Sequence, residues 1–264
     1  MSDRSNNERK QSNILFRIVR KSTAIIIVLI IWLILPNYMH SMYIPPLIDI
    51  LVEFKDLIVS GELLLNTIGS LEVVVIGLLI GQAVAIPLGA LLGWFSKVGE
   101  FLDPLLQVIR ATSILSILPL FVLFLGVGSL SKISIIIWGT FFPTLINTIQ
   151  GVKNVDTTLI RSAQSMAVSG FGLFFKVILP GASPYILAGF RLSAGIALLV
   201  VVGAEMVGAV HGLGYMIFVA SHAYQIPKMY VGILTLAILG VLTNFLIAKL
   251  ENFLTRWQEI RVSI

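Results

Sequence analysis

The stretch RSAQSMAVSGFGLFFKVILP, residues 161–180, decides how this chain is organised, because it is amphipathic and charged yet lies between long apolar runs. Asp156 shortly before it is a good helix N-cap, and apolar side chains then recur at helical spacing. The pair Ser169–Gly170 can end that helix. A second short helix, residues 171–178, is expected to stop before Pro180, because the residue preceding a proline is disfavoured in a helix. The stretch predicts a helix–turn–helix loop outside the bilayer.

Composition identifies the class of protein. The chain has 264 residues, of which 57% are hydrophobic and only 12% are charged, far too little charge to cover a soluble surface. The net charge of +5 comes from Lys and Arg spread over loop ends, which does not indicate nucleic-acid binding. Absence of cysteine excludes disulfides and thiol chemistry, and three scattered histidines form no metal set. An all-α polytopic membrane protein without cofactor or metal is predicted.

Six apolar runs are predicted to cross the membrane, with a signal peptide as the alternative for the first. Prolines inside three of them predict bent helices. Residues 37–66 are predicted to lie outside. Their stretch 47–65 carries an acid every few positions, each costing about 2.5–3.5 kcal/mol near the bilayer centre, so an interfacial helix is predicted there. The predicted spans are TM1 (23–36), TM2 (67–95), TM3 (104–127), TM4 (133–150), TM5 (185–209) and TM6 (229–250).

Basic residues orient these spans. The N-terminal segment 1–22 is strongly basic, which predicts a cytoplasmic N-terminus. With six spans, all but Lys55, Lys132 and Lys228 of the eighteen Lys and Arg residues fall on the inner side. The prediction is therefore a core over residues 67–250, with a cytoplasmic loop over 151–184 and a cytoplasmic tail over 251–264.

The loop resembles the cytoplasmic motif of ABC importer permeases, written E-A-A, three residues, G, nine residues, I, one residue, L-P. Flanking segments 102–133, 141–156 and 182–215 also resemble this family, in its nitrate, sulfonate, taurine and bicarbonate branch. Two positions depart from the motif, Arg161 standing for Glu and Ala167 for Gly. The matching positions are Arg161, Ser162, Ala163, Ala167, Val177, Leu179 and Pro180.

The resemblance implies a type I ABC importer fold in the cell inner membrane. The matching positions, with Met166 and Gly170, would form a coupling helix that docks on an ATPase. Implied partners are two ATPase copies, a second copy of this chain and an external solute-binding protein or lipoprotein. The implied solute is small and anionic, of the aliphatic sulfonate, taurine, nitrate or bicarbonate type. The chain has no G-x-x-x-x-G-K-[ST] loop, so ATP hydrolysis falls to the separate subunit and no enzyme activity is expected here.

Polar residues inside the predicted spans are candidates for lining a solute path. Arg110 suits an anion, although its long side chain can also extend to the interface. Glu205 is open to two interpretations, a polar group at the outer mouth of the path or an acid that bonds to a neighbouring helix. Glu72 is left without a role. The path candidates are Arg110, Ser116, Asn147, Ser193 and Glu205.

An alternative function is a secondary transporter or channel that needs no ATPase. Such a protein would need buried acids for ion coupling, and Glu205 is the good candidate for one. A membrane enzyme is less favoured, because the sequence offers no paired carboxylates or Ser/His/Asp arrangement.

Overall fold

The computed structural model describes residues 23, 32, 33 and 43–255 of the chain. The predicted tail 1–22, most of the predicted span 23–36 and the end of the tail 251–264 lie outside the described residues. Trp32 is helical, and its ring packs edge-on against Tyr230 with ring centroids 5.2 Å apart. This contact joins the first predicted span to the last long helix.

Ten α-helices and one π turn make up residues 47–254, and no strand occurs in the part of the chain that the structure describes. The first five helices are α1 (Leu47–Val59), α2 (Glu62–Trp94), α3 (Ser96–Ala111), α4 (Ile114–Leu125) and α5 (Ser129–Lys153). The others are α6 (Thr157–Ser165), α7 (Gly170–Leu173), the π turn (Phe174–Ile178), α8 (Leu179–Gly208), α9 (Leu213–His222) and α10 (Ile226–Leu254).

Four stretches are long and apolar enough to cross a membrane among the described residues: α2, α5, the run from α7 into α8, and α10. The bent pair α3 and α4 is a fifth if it forms one span. Helices that match the predicted TM2, TM4, TM5 and TM6 are therefore present, longer than expected by four to seven residues, except that the run matching TM5 begins fifteen residues earlier. Between α8 and α10, the predicted outer connection contains the short apolar helix α9.

The interfacial helix predicted over residues 47–65 is shorter in the structure. Helix α1 ends at Val59, and α2 begins at Glu62, five residues before the predicted start of TM2. Gly61 between them has a φ of 77°, a left-handed conformation that glycine adopts without a steric penalty. The chain therefore turns at residues 60–61, and Glu62 is the first residue of the long helix α2.

The predicted span TM3, residues 104–127, is bent as expected, but the break lies at residues 112–113 and not at Pro119. Helices α3 and α4 meet at an angle of 86°, because Thr112 and Ser113 between them have extended backbone angles. Hydroxyl side chains compete for backbone partners and favour helix ends over helix interiors. Pro119, where a bend was expected, lies inside the regular α4.

Close packing of α2 on α5 forms the centre of the fold. A Cβ added at Gly77 would lie 2.7 Å from Ile136 Cγ2, and one at Gly93 would lie 2.7 Å from Val152 Cβ. The two contacts have the same separation along both helices, so α2 and α5 run parallel. Glycine permits this backbone approach, as is common between membrane helices. Helix α8 packs antiparallel across α5, where Gly189 lies against Thr144 and Asn147.

The predicted end of the second loop helix at Pro180 is also wrong. Helix α7, the π turn and α8 are continuous, and residues 170–207 form one helical run. Pro180 has no N–H to donate to the preceding turn. The wider π turn directly before it takes up this missing bond, so the helix continues without a break. The loop is thereby joined rigidly to the membrane span that follows.

Candidate coupling loop and solute path

Helix α6 begins as the sequence predicts. The carboxylate of Asp156 accepts a hydrogen bond from the backbone N–H of Thr158 at 2.8 Å, which satisfies one free donor of the first turn. The predicted N-cap is therefore confirmed.

The helix ends earlier than the predicted break at Ser169–Gly170. Ala167 has a φ of 60°, the left-handed conformation that ends a helix. Around it, the N–H of Val168 donates to the carbonyl of Ala163 at 3.0 Å, and the N–H of Ala167 donates to that of Gln164 at 3.0 Å. These two bonds form a Schellman motif, which turns the chain towards α7. Ala167 is thus a residue in a conformation that favours glycine.

An apolar cluster fixes the loop to the ends of the spans. Ala163 of α6 and Leu173 of α7 are buried together with Val152 at the end of α5. Trp94, the last residue of α2, packs edge-on against Phe174 with ring centroids 5.3 Å apart. The loop is therefore a packed extension of three membrane helices.

The predicted coupling residues divide into two groups by exposure. Residues 166–169, which join α6 to α7, are called the elbow. The side chain of Met166 in the elbow is 77% exposed, and that of Phe171 in α7 is 72% exposed. Ala163 is buried at 9% exposure, so its side chain packs inward. The exposed members are Arg161, Ser162, Met166, Ala167 and Gly170, and the inward or half-buried members are Ala163, Val177, Leu179 and Pro180.

Two of the path candidates lie on either side of the break between α3 and α4. Arg110 is in the last turn of α3 and Ser116 in the first turn of α4, and both are exposed. The backbone carbonyl of Ser113 accepts from the N–H of Ser116 at 3.1 Å. The break is thus flanked by an exposed arginine and two exposed serines. Sequence reasoning expected the bend of this span at its proline and so missed the break between Arg110 and Ser116.

The candidates Asn147 and Ser193 bond to other helical groups. Asn147 is half-buried and donates to the carbonyl of Pro143 at 2.7 Å. Ser193 is fully buried on α8, where it donates to the carbonyl of Thr140 at 2.7 Å and lies 2.8 Å from Thr144 Oγ1. Interhelical hydrogen bonds of this kind hold membrane helices together. The contacts of Ser193 are those of helix packing between α5 and α8.

Glu205 is 1% exposed, and each of its carboxylate oxygens lies within hydrogen-bonding distance of a donor. Ser70 Oγ on α2 lies 2.8 and 2.9 Å from its two carboxylate oxygens, and the N–H of Gly214 donates to one of them at 2.8 Å. Of the two interpretations of Glu205, these contacts match the acid that bonds to a neighbouring helix. Sequence reasoning did not find its partner Ser70. A usable signal existed, because Asn66, Ser70 and Gly77 share the buried face of α2.

Comparison with known proteins gives the family. Residues 85–256 match the model of the binding-protein-dependent transport system inner membrane component. The chain belongs to this family. It is a multi-pass inner-membrane component of ABC importers, a transport protein rather than an enzyme, so the predicted family, the all-α polytopic class and the membrane location are confirmed.

Two relatives are named for solutes of the predicted branch. The permease is 39% identical over 216 residues to the putative aliphatic sulfonates transport permease protein SsuC of Bacillus subtilis, covering 82% of this chain and 78% of the relative. It is 35% identical over 188 residues to the taurine transport system permease protein TauC of Escherichia coli, covering 71% and 68%. A putative ABC transporter permease of Methanocaldococcus jannaschii is 39% identical over 219 residues, covering 81% of each chain.

Solved structures support the fold of the permease. The methionine ABC transporter MetNI, in an inward-facing conformation, contains a chain that superposes with a TM-score of 0.63 at 18% identity. The match covers 70% of this permease and 93% of that chain.

Proposed function

We propose that this permease forms, with a second copy, the path of an ATP-driven importer and couples to a separate ATPase through residues 161–180. The observation that carries the proposal is the exposed elbow at Met166, which joins the membrane through the continuous helix 170–207. Large exposed apolar side chains on a polar loop are typical of a protein contact. A continuous helix would transmit displacement of the elbow to the spans.

The proposed ATPase contact consists of the exposed coupling group, with Met166 and Phe171 as its apolar anchors. Since Ala163 faces inward, we propose that it supports α6 without touching the ATPase. ATP binding would bring the two ATPase subunits together and move both elbows, and hydrolysis would reset them. An external solute-binding protein would deliver the solute to the opposite face.

The proposed solute is a small anion of the aliphatic sulfonate or taurine type, by similarity to the named relatives. Arg110, exposed at the end of α3, suits a sulfonate, because Arg binds oxyanions through charge-assisted hydrogen bonds, and the exposed Ser113 and Ser116 follow it at the break. We propose that the solute passes this corner. Glu205, whose carboxylate oxygens are bonded, is a poor ion-coupling group, which weighs against a secondary transporter.

The test is co-purification of the permease with the ATPase encoded beside it. Met166→Arg should abolish retention of the ATPase, because a charge at the elbow replaces an apolar anchor. Ser96→Arg is the matched control, since it adds the same charge at an exposed position at the start of α3. If wild type holds no ATPase, or if both variants hold it equally well, the proposed function is wrong.

A further inference from the structure

The first turn of α9 is bonded to two other helices. The N–H of Gly212 donates to Asn66 Oδ1 at 2.9 Å, and the N–H of Leu213 donates to Ser70 Oγ at 2.8 Å. The N–H of Gly214 donates to the Glu205 carboxylate at 2.8 Å. Three of the four free donors of this helix N-terminus are thus used, two by α2 and one by α8. We call residues 209–214 the outer corner.

Glu205 is the centre of this network. Its carboxylate bonds to α2 through Ser70 and to α9 through Gly214, while its backbone belongs to α8. Position 212 must be glycine, because a Cβ there would collide with the Glu205 carboxylate.

The same helix that carries Glu205 carries the coupling elbow at its other end. Residues 170–207 form one helical run, which spans about 57 Å at 1.5 Å per residue. A displacement of the outer corner can therefore reach the elbow through one continuous element, provided that the corner is fixed to α8. Glu205 supplies that fixation.

We infer that Glu205 is a positioning residue for transport, which clamps the outer corner to α2 and α8 so that docking of an external partner is transmitted down α8. This inference rests on the proposed function. It assigns Glu205 no contact with the solute. The outer corner, the outer turns of α2 and the end of α8 then move as one unit, and the helix break at residues 112–113 is left as the flexible point.

A disulfide can replace the clamp. A Cβ built at Gly69 on α2 would lie 3.9 Å from His211 Cβ in the outer corner, which suits a disulfide. Because the chain has no cysteine, the double variant Gly69→Cys/His211→Cys would contain only this pair. Oxidation should leave partner-stimulated ATPase activity within about twofold of the reduced value, since the two parts never separate.

The decisive comparison combines the disulfide with Glu205→Ala. In the assembled complex, Glu205→Ala should keep basal ATPase activity but lower its stimulation by the external binding protein at least about fivefold. Glu205→Gln should retain part of it, because its amide oxygen still accepts a hydrogen bond. Oxidising Gly69→Cys/His211→Cys in the Glu205→Ala background should restore stimulation, and reduction should remove it again.

The matched control is Glu72→Ala. Glu72 is an exposed acid on α2 with no hydrogen bond or ion pair to any residue that the structure describes, so its removal should change nothing. Full stimulation in Glu205→Ala, loss of stimulation on oxidising the double variant, or absence of rescue would each overturn the inference. In those cases the wild-type complex still forms and is stimulated, so the proposed function stands. If wild type binds no ATPase, both fail.

Discussion

The N–H of Val168 donates to the carbonyl of Ala163 at 3.0 Å, and Ala167, enclosed between them, has a φ of 60°. The left-handed conformation costs a residue with a Cβ about 1–2 kcal/mol, whereas glycine adopts it freely. This bond therefore explains why the resembling motif has glycine where this chain has Ala167. The elbow is built on a residue that its own geometry disfavours.

Ala167→Gly should stabilise the permease by up to about 1 kcal/mol, after allowing for the greater flexibility of glycine in the unfolded chain. The measurement is the thermal midpoint in detergent. Ser162→Gly is the control, because Ser162 is exposed inside α6, where glycine should cost about 0.5–1 kcal/mol. A lower midpoint for Ala167→Gly would contradict the proposed turn geometry.

Gly89→Ala should destabilise the packing of α2 on α5. Its Cβ would lie 2.8 Å from the carbonyl oxygen of Leu145, and a backbone atom cannot move aside cheaply. Overpacking of this kind costs about 1–3 kcal/mol. At Gly195 an added Cβ meets nothing within 4 Å, so Gly195→Ala should be neutral or slightly stabilising. Equal midpoints for the two variants would show that α2 and α5 are not in close contact.

Variants with a single cysteine should distinguish residues that line the solute path from residues that pack between helices. In this cysteine-free chain, Ser116→Cys should react quickly with a charged, water-soluble thiol reagent, because Ser116 is exposed beside the helix break. Ser193→Cys should react at least about tenfold more slowly, because Ser193 is fully buried and only rare opening exposes it. Labelling of both variants at similar rates would indicate that Ser193 lines the solute path.

Arg110→Gln should lower uptake of anionic solutes. Hydrogen bonds to a charged group contribute about 1.5–3 kcal/mol, so uptake at low solute concentration should fall by about tenfold or more. Radiolabelled taurine, an alkanesulfonate, nitrate and bicarbonate are the probes. Arg110→Lys should recover part of the uptake, and Lys97→Gln should have little effect. Unchanged uptake of every transported probe in Arg110→Gln would remove this residue from the path.

Arg161→Glu tests the reversed charge at the start of the proposed docking surface. Arg161 is exposed on α6, so we expect an acidic residue of the ATPase to face it. The substitution should place two negative charges together and lower partner-stimulated ATPase activity in the assembled complex. Retention of full coupled activity would show that no such pair forms.

Much of this architecture follows from sequence alone, because a membrane helix can be recognised as a long apolar run in the sequence. A span must satisfy its backbone bonds internally and be apolar along its length, so TM2, TM4 and TM6 and the end of TM5 could be placed within about five residues. The cap at Asp156 is equally local, since it depends on one side chain and a backbone N–H two residues away. The spacing of residues 161–180 was sufficient to indicate the family.

What only the tertiary structure decided are the features that depend on distant neighbours. The break at Thr112 and Ser113 and the continuous helix through Pro180 both contradict expectations from local sequence. Local sequence permits either outcome at both places, because a hydroxyl residue can lie inside a helix or end it, and a π turn can carry a helix past a proline. The role of Glu205 was open for the same reason: its partner Ser70 lies 135 positions away, a distance over which hydropathy and spacing carry no information.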